Sequence, residues 1–359
     1  MHTTGGLNLL PKKYIAKRAV LLALTLVVAT YVTVVVANAG GFIDDIIKSQ
    51  VHYSVSTSLA RDPNFARLPD EERQKIIEER VQAILSAKGF DKPFIVRSFI
   101  YLIDALTLNL GRAIMLRSAS GSTSVATIIL ERLPQTLLLF TSGTIAYILV
   151  GTWFGLRMAR RPGKPFDKFM VGYAIITSVI PPWFFGILFI LVFSFYLGLF
   201  PYGGLVSAPP PSDTLGYILD VLYHLALPLI TWTFSLFGYW AYITRNIVVQ
   251  IASEDYVVVA RAKGLPEEMI LKKYILRPAL PPIVTNAALA LIASWMGAII
   301  TETVFNWPGL GSLLYAAIES LDAPVIIGIT VVYAYLLVIT VLILDVIYGL
   351  LDPRIKVAG

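Results

Sequence analysis

Six stretches of this chain are long and apolar enough to cross a lipid bilayer, and that feature limits the fold more than any other. They run from Ile15 to Ala39, Thr136 to Met158, Phe169 to Leu199, Val221 to Ile243, Ile283 to Thr303 and Pro324 to Leu351. A spanning helix needs about 20 mostly apolar residues. In hydrocarbon every backbone polar group must be bonded within the protein, which leaves helices or closed barrels. A barrel would need alternating segments of about ten residues, and the apolar runs do not alternate. The expected fold is therefore all-α and polytopic, with six transmembrane helices. Charged residues make up 14% of the 359, against about 25% in an ordinary soluble domain. The first apolar run is long and no small-residue cleavage site follows it, so the residues through Leu10 are read as preceding a retained span, not as a signal peptide.

Lysines and arginines set the expected orientation, because positive residues in short loops stay in the cytoplasm. Lys12, Lys13, Lys17 and Arg18 flank the first span, and Arg157, Arg160, Arg161, Lys164 and Lys168 lie between the second and third. Arg245, Arg261, Lys263, Lys272, Lys273 and Arg277 lie between the fourth and fifth, and Arg354 and Lys356 follow the sixth. The loops Phe200 to Asp220 and Val304 to Ala323 hold neither lysine nor arginine. Both termini are thus expected in the cytoplasm of a multi-pass plasma-membrane protein. The net charge of +6 belongs to this asymmetry and not to a nucleic-acid-binding face.

The chain divides, on this reading, into a cytoplasmic N-terminus with the first span (1–39), an external α-helical insertion (40–132), a core with five spans (133–351) and a cytoplasmic tail (352–359). The insertion carries twelve basic residues, which long loops tolerate during translocation. Within it, Asp70 is expected to cap a helix that buries Ile77, Val81, Ile84 and Leu85 and stops at Gly89. The stretch Phe94 to Leu116 competes as a seventh span. It contains Arg97, Asp104, Arg112 and Arg117, each costing a few kcal/mol near the bilayer centre, and a span there would invert every later loop. It is expected to be a helix lying on the outer membrane surface. Pro181, Pro182 and Pro228 kink or interrupt their helices, either for packing or to shape a pore.

The cytoplasmic segment from Ser253 to Thr285 reads SEDYVVVARAKGLPEEMILKKYILRPALPPIVT. It is expected to form two short helices joined by a turn, with Ser253 as N-cap, Gly264 in a left-handed conformation and Pro266, Glu267 and Glu268 opening the second helix. Ala260, Ala262 and Gly264 are small enough for close backbone approach by another protein, and Pro278, Pro281 and Pro282 stiffen the link to the next span. An amphipathic loop meeting anionic lipid has the same spacing.

The run ARAKGL followed by ILRPALPPIVT resembles the coupling loop, often called the EAA loop, of type-1 ABC importer permeases of the dipeptide and oligopeptide class. GFDKPFIVR, LNLGRA, ERLPQTLLL, ETVFNWPGLGSLL and DVIYGLLDPRIK add to the resemblance in the family's order, over nearly the whole chain. It implies a permease that forms half of a translocation path and pairs with a second homologous permease, two ABC ATPase subunits and an extracytoplasmic substrate-binding protein. It implies that Asp255, Tyr256, Ala260, Arg261, Ala262, Lys263, Gly264 and Leu265 form the ATPase-coupling loop. ATP and Mg then belong to the partner ATPases, with no cofactor in this chain. The sequence departs from the family's pattern where Val258 and Val259 fill the first two positions of the wider EAA motif, and where Leu321, Asp322, Ala323 and Pro324 replace an Arg-Asp-Tyr-Pro run.

No G-x-x-x-x-G-K-[ST], H-E-x-x-H or G-x-S-x-G motif occurs, there is no cysteine, and His2, His52 and His224 lack metal-ligand spacing. The expectation is therefore a transport subunit with no catalytic or metal-binding residues. A gradient-driven transporter or channel would place ionisable groups near the membrane midplane; Glu302 and Asp345 fall towards span ends, where they cap, pair or face a wet boundary. An anchoring protein that transports nothing is a third class. Tyr173, Trp183, Phe184 and Phe185 either line a path or pack. At the outer mouth, Asn306, Trp307, Pro308, Gly309 and Gly311 form a turn before a helix from Ser312 to Glu319, which either closes the outer face, touches the binding protein or simply stabilises the loop. The resemblance suggests oligopeptides as cargo; similar permeases also serve oligosaccharides.

Overall fold

A computed structural model describes residues 12–38, 42–87 and 89–351. The tail 352–359, with Arg354 and Lys356, and the stretch through Leu10 lie outside the described residues. The elements are α1 (Lys12–Asn38), α2 (Phe42–Ala60), α3 (Asp70–Ala87), α4 (Phe94–Leu106), α5 (Val125–Ala159), α6 (Pro165–Val179) and α7 (Pro182–Phe189), the last continued by a π-helical turn, Ile190–Tyr196. Then come α8 (Thr214–Ala252), α9 (Asp255–Ala262), α10 (Glu267–Met269), a second π-helical turn (Ile270–Leu276), α11 (Arg277–Ala293), α12 (Ile299–Val304), α13 (Leu310–Glu319) and α14 (Ala323–Leu351). The protein is an all-α polytopic membrane protein. Among the described residues five helices are long and apolar enough to cross a bilayer, and six spans result if the pair Pro165–Val179 and Pro182–Tyr196, bent by 96°, counts as one.

Boundaries differ from the sequence expectation where helices outrun the apolar window. α5 has 35 residues and α8 has 39, about 52 and 58 Å at 1.5 Å per residue, so both extend past a hydrocarbon core of about 30 Å. The loop expected to end at Asp220 ends at Asp213, whose carboxylate caps α8 by accepting from Gly216 N at 2.7 Å. Pro181 and Pro182 interrupt the third span outright, ending α6 at Val179 and starting α7 at its first position. Pro228, by contrast, lies inside a continuous α8.

Contacts divide the chain into two units, Met1–Ala19 with Arg132–Tyr315 and Ile339–Gly359, and Val20–Glu131 with Ala316–Val338. In the first, α8 is the central element, packed by α5, α6, α7 and α11. Gly151 and Gly155 bring α5 so close to α8 that a methyl group on either would lie 2.7 Å from Phe237 O or Thr244 Cβ, the G-x-x-x-G mode of membrane helix packing. Trp240 Nε1 donates to Thr152 Oγ1 at 2.9 Å across the same seam. Asp167, at the start of α6, is buried and accepts from both Nε (3.1 Å) and Nη2 (2.9 Å) of Arg245 on α8, a bidentate pair that fixes one helix against the other. Arg18 and Asp345 form an ion pair between α1 and α14.

In the second unit, α2 and α3 pack as a hairpin. Val51, Val55 and Leu59 meet Val81, Leu85 and Phe65. Ile84, expected in this core, is 38% exposed, because it sits one residue round the helix from Leu85. Gly89 turns with φ +79° after α3, as expected. α4 is only 13 residues long, about 20 Å, so Phe94 to Leu116 supplies no seventh span. The buried carboxylate of Asp322 accepts three successive backbone N–H groups, from Ile114, Met115 and Leu116 at 2.8–2.9 Å, which gives the Asp of the Leu321-Asp322-Ala323-Pro324 run a structural task.

Candidate functional site

Ser253 was the expected N-cap of the cytoplasmic segment; instead it terminates α8, and its hydroxyl donates back to Gln250 O at 2.7 Å. The cap position of α9 falls to Glu254. α9 then packs on its own chain through Val257 and Ala260, which join Val248, Ile270, Ile275, Ala279 and Ile283 in one cluster. Ala260 is 2% exposed, so its small size serves packing within the chain and offers no surface to another protein. The opposite side of α9 is uncovered. Asp255, Val258, Val259 and Ala262 are exposed at i, i+3, i+4 and i+7, Tyr256 flanks them, and Val258 and Val259 are each more than half exposed.

After Ala262 the chain turns. Gly264 has φ +72°, and a Cβ there would meet nothing within 4 Å, so glycine is required by the left-handed backbone and not by crowding. Lys263 and Arg261 are exposed, and Leu265 is half-buried against the α9 cluster. Arg261 pairs with Glu267 across the turn at 3.3 Å, and Lys272 with Glu268 at 2.7 Å; both are exposed pairs of small energetic weight.

The expected separate short helix and proline-stiffened linker do not form. Helix runs without a break from Glu267 to Met296, through Pro278, Pro281 and Pro282. A π-helical turn lies immediately before them, where Arg277 N–H bonds to Lys272 O, five residues back. Asn286 Nδ2 donates to Pro282 O at 2.9 Å. The helix ends at Gly297, φ +65°.

The outer turn has a different character. Trp307 is fully buried and its Nε1 donates to Gln135 O at 2.9 Å. Gly309 and Gly311 are buried, Pro308 is half-buried, and Asn306, with φ +47°, is the one exposed member of the turn. Glu302 explains the glycines. Its carboxylate is buried, accepts from Thr136 Oγ1 at 2.8 Å and Ser312 N at 2.9 Å, and sits where a side chain on Gly309 would overlap it. Thr136 in turn accepts from Leu310 N at 2.7 Å. The carboxylate thus supplies the first turn of α13, which starts at Leu310, with an acceptor for its free N–H groups. Sequence reasoning placed Glu302 at a span end as a cap or partner but did not connect it to Gly309; the seven-residue spacing in ETVFNWPG was the available signal. The aromatics also pack: Phe185 and Phe189 lie 5.3 and 5.1 Å from Phe234, and Tyr173 lies 4.9 Å from Phe237. Among the described residues no group of three or more His, Cys, Asp or Glu side chains is arranged to hold a metal ion.

Residues 148–357, which include the α9 segment and the outer turn, match the family described as binding-protein-dependent transport system inner membrane component. The chain belongs to that family. This inner membrane component is 33% identical over 300 residues to the oligopeptide transport system permease protein AppB of Bacillus subtilis, covering 83% of this chain and 89% of that protein. It is 34% identical over 287 residues to the inner membrane ABC transporter permease protein YejB of Escherichia coli, covering 78% and 77%, and 28% identical over 282 residues to the dipeptide transport system permease protein DppB of Lactococcus lactis, covering 79% and 87%. The inner membrane component is accordingly a multi-pass plasma-membrane transport subunit of an ABC importer, not an enzyme.

Proposed function

We propose that this chain forms half of a translocation path for oligopeptides and is driven by separate ATPases that dock on α9. The observation that carries the reading is the exposed apolar stripe of Val258, Val259 and Ala262, beside the Gly264 turn and facing away from the chain's own core. An apolar stripe on a segment rich in Lys and Arg needs a partner to cover it. Asp255, Tyr256, Arg261 and Lys263 surround it with polar contacts, as the rim of an interface does, while Ala260 and Leu265 hold it from within. In this reading ATP and Mg bind the ATPases. Their approach to each other moves two such segments, one from this chain and one from a homologous permease, and switches the paired helices between inward-open and outward-open packings.

In this reading the termini lie in the cytoplasm, with 1–39, 40–132, 133–351 and 352–359 as the N-terminal span, external insertion, core and tail. An external binding protein delivers cargo, and Asn306 is the member of the outer turn exposed to meet it. The relatives named for peptides support peptide cargo. The test is uptake of a labelled oligopeptide into vesicles holding both permeases, with the binding protein outside and ATPases within. ATP-dependent accumulation is expected. Accumulation driven by an ion gradient with no ATPase present would overturn the mechanism, and transport of oligosaccharide in place of peptide would overturn the cargo.

A further inference from the structure

α4 carries an apolar face that its own unit leaves uncovered. Ile95, Val96, Phe99 and Ile103 are 45–68% exposed and fall within an arc of about 100° at 100° per residue, the width of an apolar helix stripe. The other side of α4 is buried through Ser98, Leu102 and Ala105. The charges that argue against lipid are turned away from this face. Arg97 is buried in an ion pair with Asp44 at 2.7 Å and lies over the Phe90 ring at 5.1 Å, and Asp104 accepts from Asn109 Nδ2 at 3.1 Å.

Two tethers hold this helix. Tyr31 of α1 bonds to Ser98 at 3.2 Å, and its ring stacks on Phe99 with centroids 5.3 Å apart. Tyr31 lies within the candidate span Ala16–Val36. Val28, Val32 and Val36, on the outward side of α1, are exposed, so the uncovered face of α4 continues the lipid-facing surface of a span. At the other end of α4, Tyr335 of α14 donates to Leu106 O at 2.6 Å.

We propose that α4 is an interfacial anchor, with its Ile95, Val96, Phe99 and Ile103 face inserted among the acyl chains of the leaflet that the C-terminal end of α1 meets. That leaflet is the outer one in the orientation proposed above. A one-sided apolar face is the mark of a helix that lies in the membrane interface. The anchor holds the insertion at a set height on the membrane by the Arg97–Asp44 pair and the two tyrosines.

The sequence has no cysteine, so a single introduced thiol reports one position in the full chain. Ile95→Cys and Ile103→Cys, labelled with an environment-sensitive fluorophore in phosphatidylcholine–phosphatidylglycerol vesicles, are compared with Tyr53→Cys, a 74% exposed position of α2. Lipid nitroxides at acyl carbon 5 are expected to quench both α4 labels more than nitroxides at carbon 12, and aqueous iodide at least fivefold less than at Tyr53→Cys. Iodide quenching equal to that control would place the face in water. Stronger quenching from carbon 12 would make it a re-entrant helix, and quenching by neither would mean a protein covers it; each result overturns the proposal. Val96→Cys, at the edge of the face, keeps the test decisive if either variant fails to express. No ATPase or cargo is needed, so the outcome is independent of the transport mechanism.

Discussion

The α9 segment and the outer turn both drew attention as glycine-punctuated runs, yet they use glycine for opposite reasons. At Gly264 there is open space and a left-handed backbone. At Gly309 the neighbouring space is filled by a carboxylate. The first leaves an apolar stripe uncovered for a partner, whereas the second closes the chain on itself around Glu302. A surface that waits for another protein tolerates side-chain change without loss of fold; a buried carboxylate with fixed donors does not.

Substitution separates the two. Gly309→Val is expected to have the largest effect, displacing the Glu302 carboxylate from its donors at a cost of about 3–5 kcal/mol; thermal unfolding in detergent checks it, and a native melting curve would dissolve the contrast. Glu302→Ala leaves the Ser312 N–H and the Thr136 hydroxyl without their acceptor, about 1–3 kcal/mol, and Glu302→Gln, which keeps one acceptor oxygen, is expected to recover roughly half of that loss. Gly264→Val forces a β-branched residue into the left-handed region for about 1–2 kcal/mol, confined to the turn, so ATPase association measured by co-purification falls while the melting point moves little. Val259→Asp is expected to change stability by no more than about 0.5 kcal/mol yet weaken ATPase association at least tenfold, about 1.4 kcal/mol, in a titration with the purified ATPase. If Val259→Asp destabilised the fold as much as Glu302→Ala, the stripe would be part of the core and the comparison would fail.

What the sequence made legible follows the same division. Long apolar runs located the spans of α1, α5, α8 and α14, because length and hydropathy are local properties, whereas the run Ile283 to Thr303 breaks at Gly297 and the run Phe169 to Leu199 breaks at Pro181. Gly264 was legible as a turn for the same reason. Ala260 was not: whether a small residue faces a partner or its own core depends on Ile270 and Ile275, which reach it only after the chain folds back. The prolines at 278, 281 and 282 misled because proline disfavours helix locally, yet the helix continues through all three. The Asp167–Arg245 pair joins residues 78 apart, and each alone looks like an ordinary loop flank. Gly151 and Gly155 could have been read, since a G-x-x-x-G in an apolar helix marks close packing.

The uninterrupted helix from Glu267 to Met296 has a mechanical consequence. Thirty residues make a rod of about 45 Å, and no flexible joint separates the turn at Gly264 from the far end at Gly297. A tilt of only 5° at the base would swing the distal tip by about 4 Å on that length, directly into the elbow where α12 begins. A pushrod of this kind delivers displacement undiminished, and its stiffness, more than any chemistry along it, sets how small an input stroke suffices.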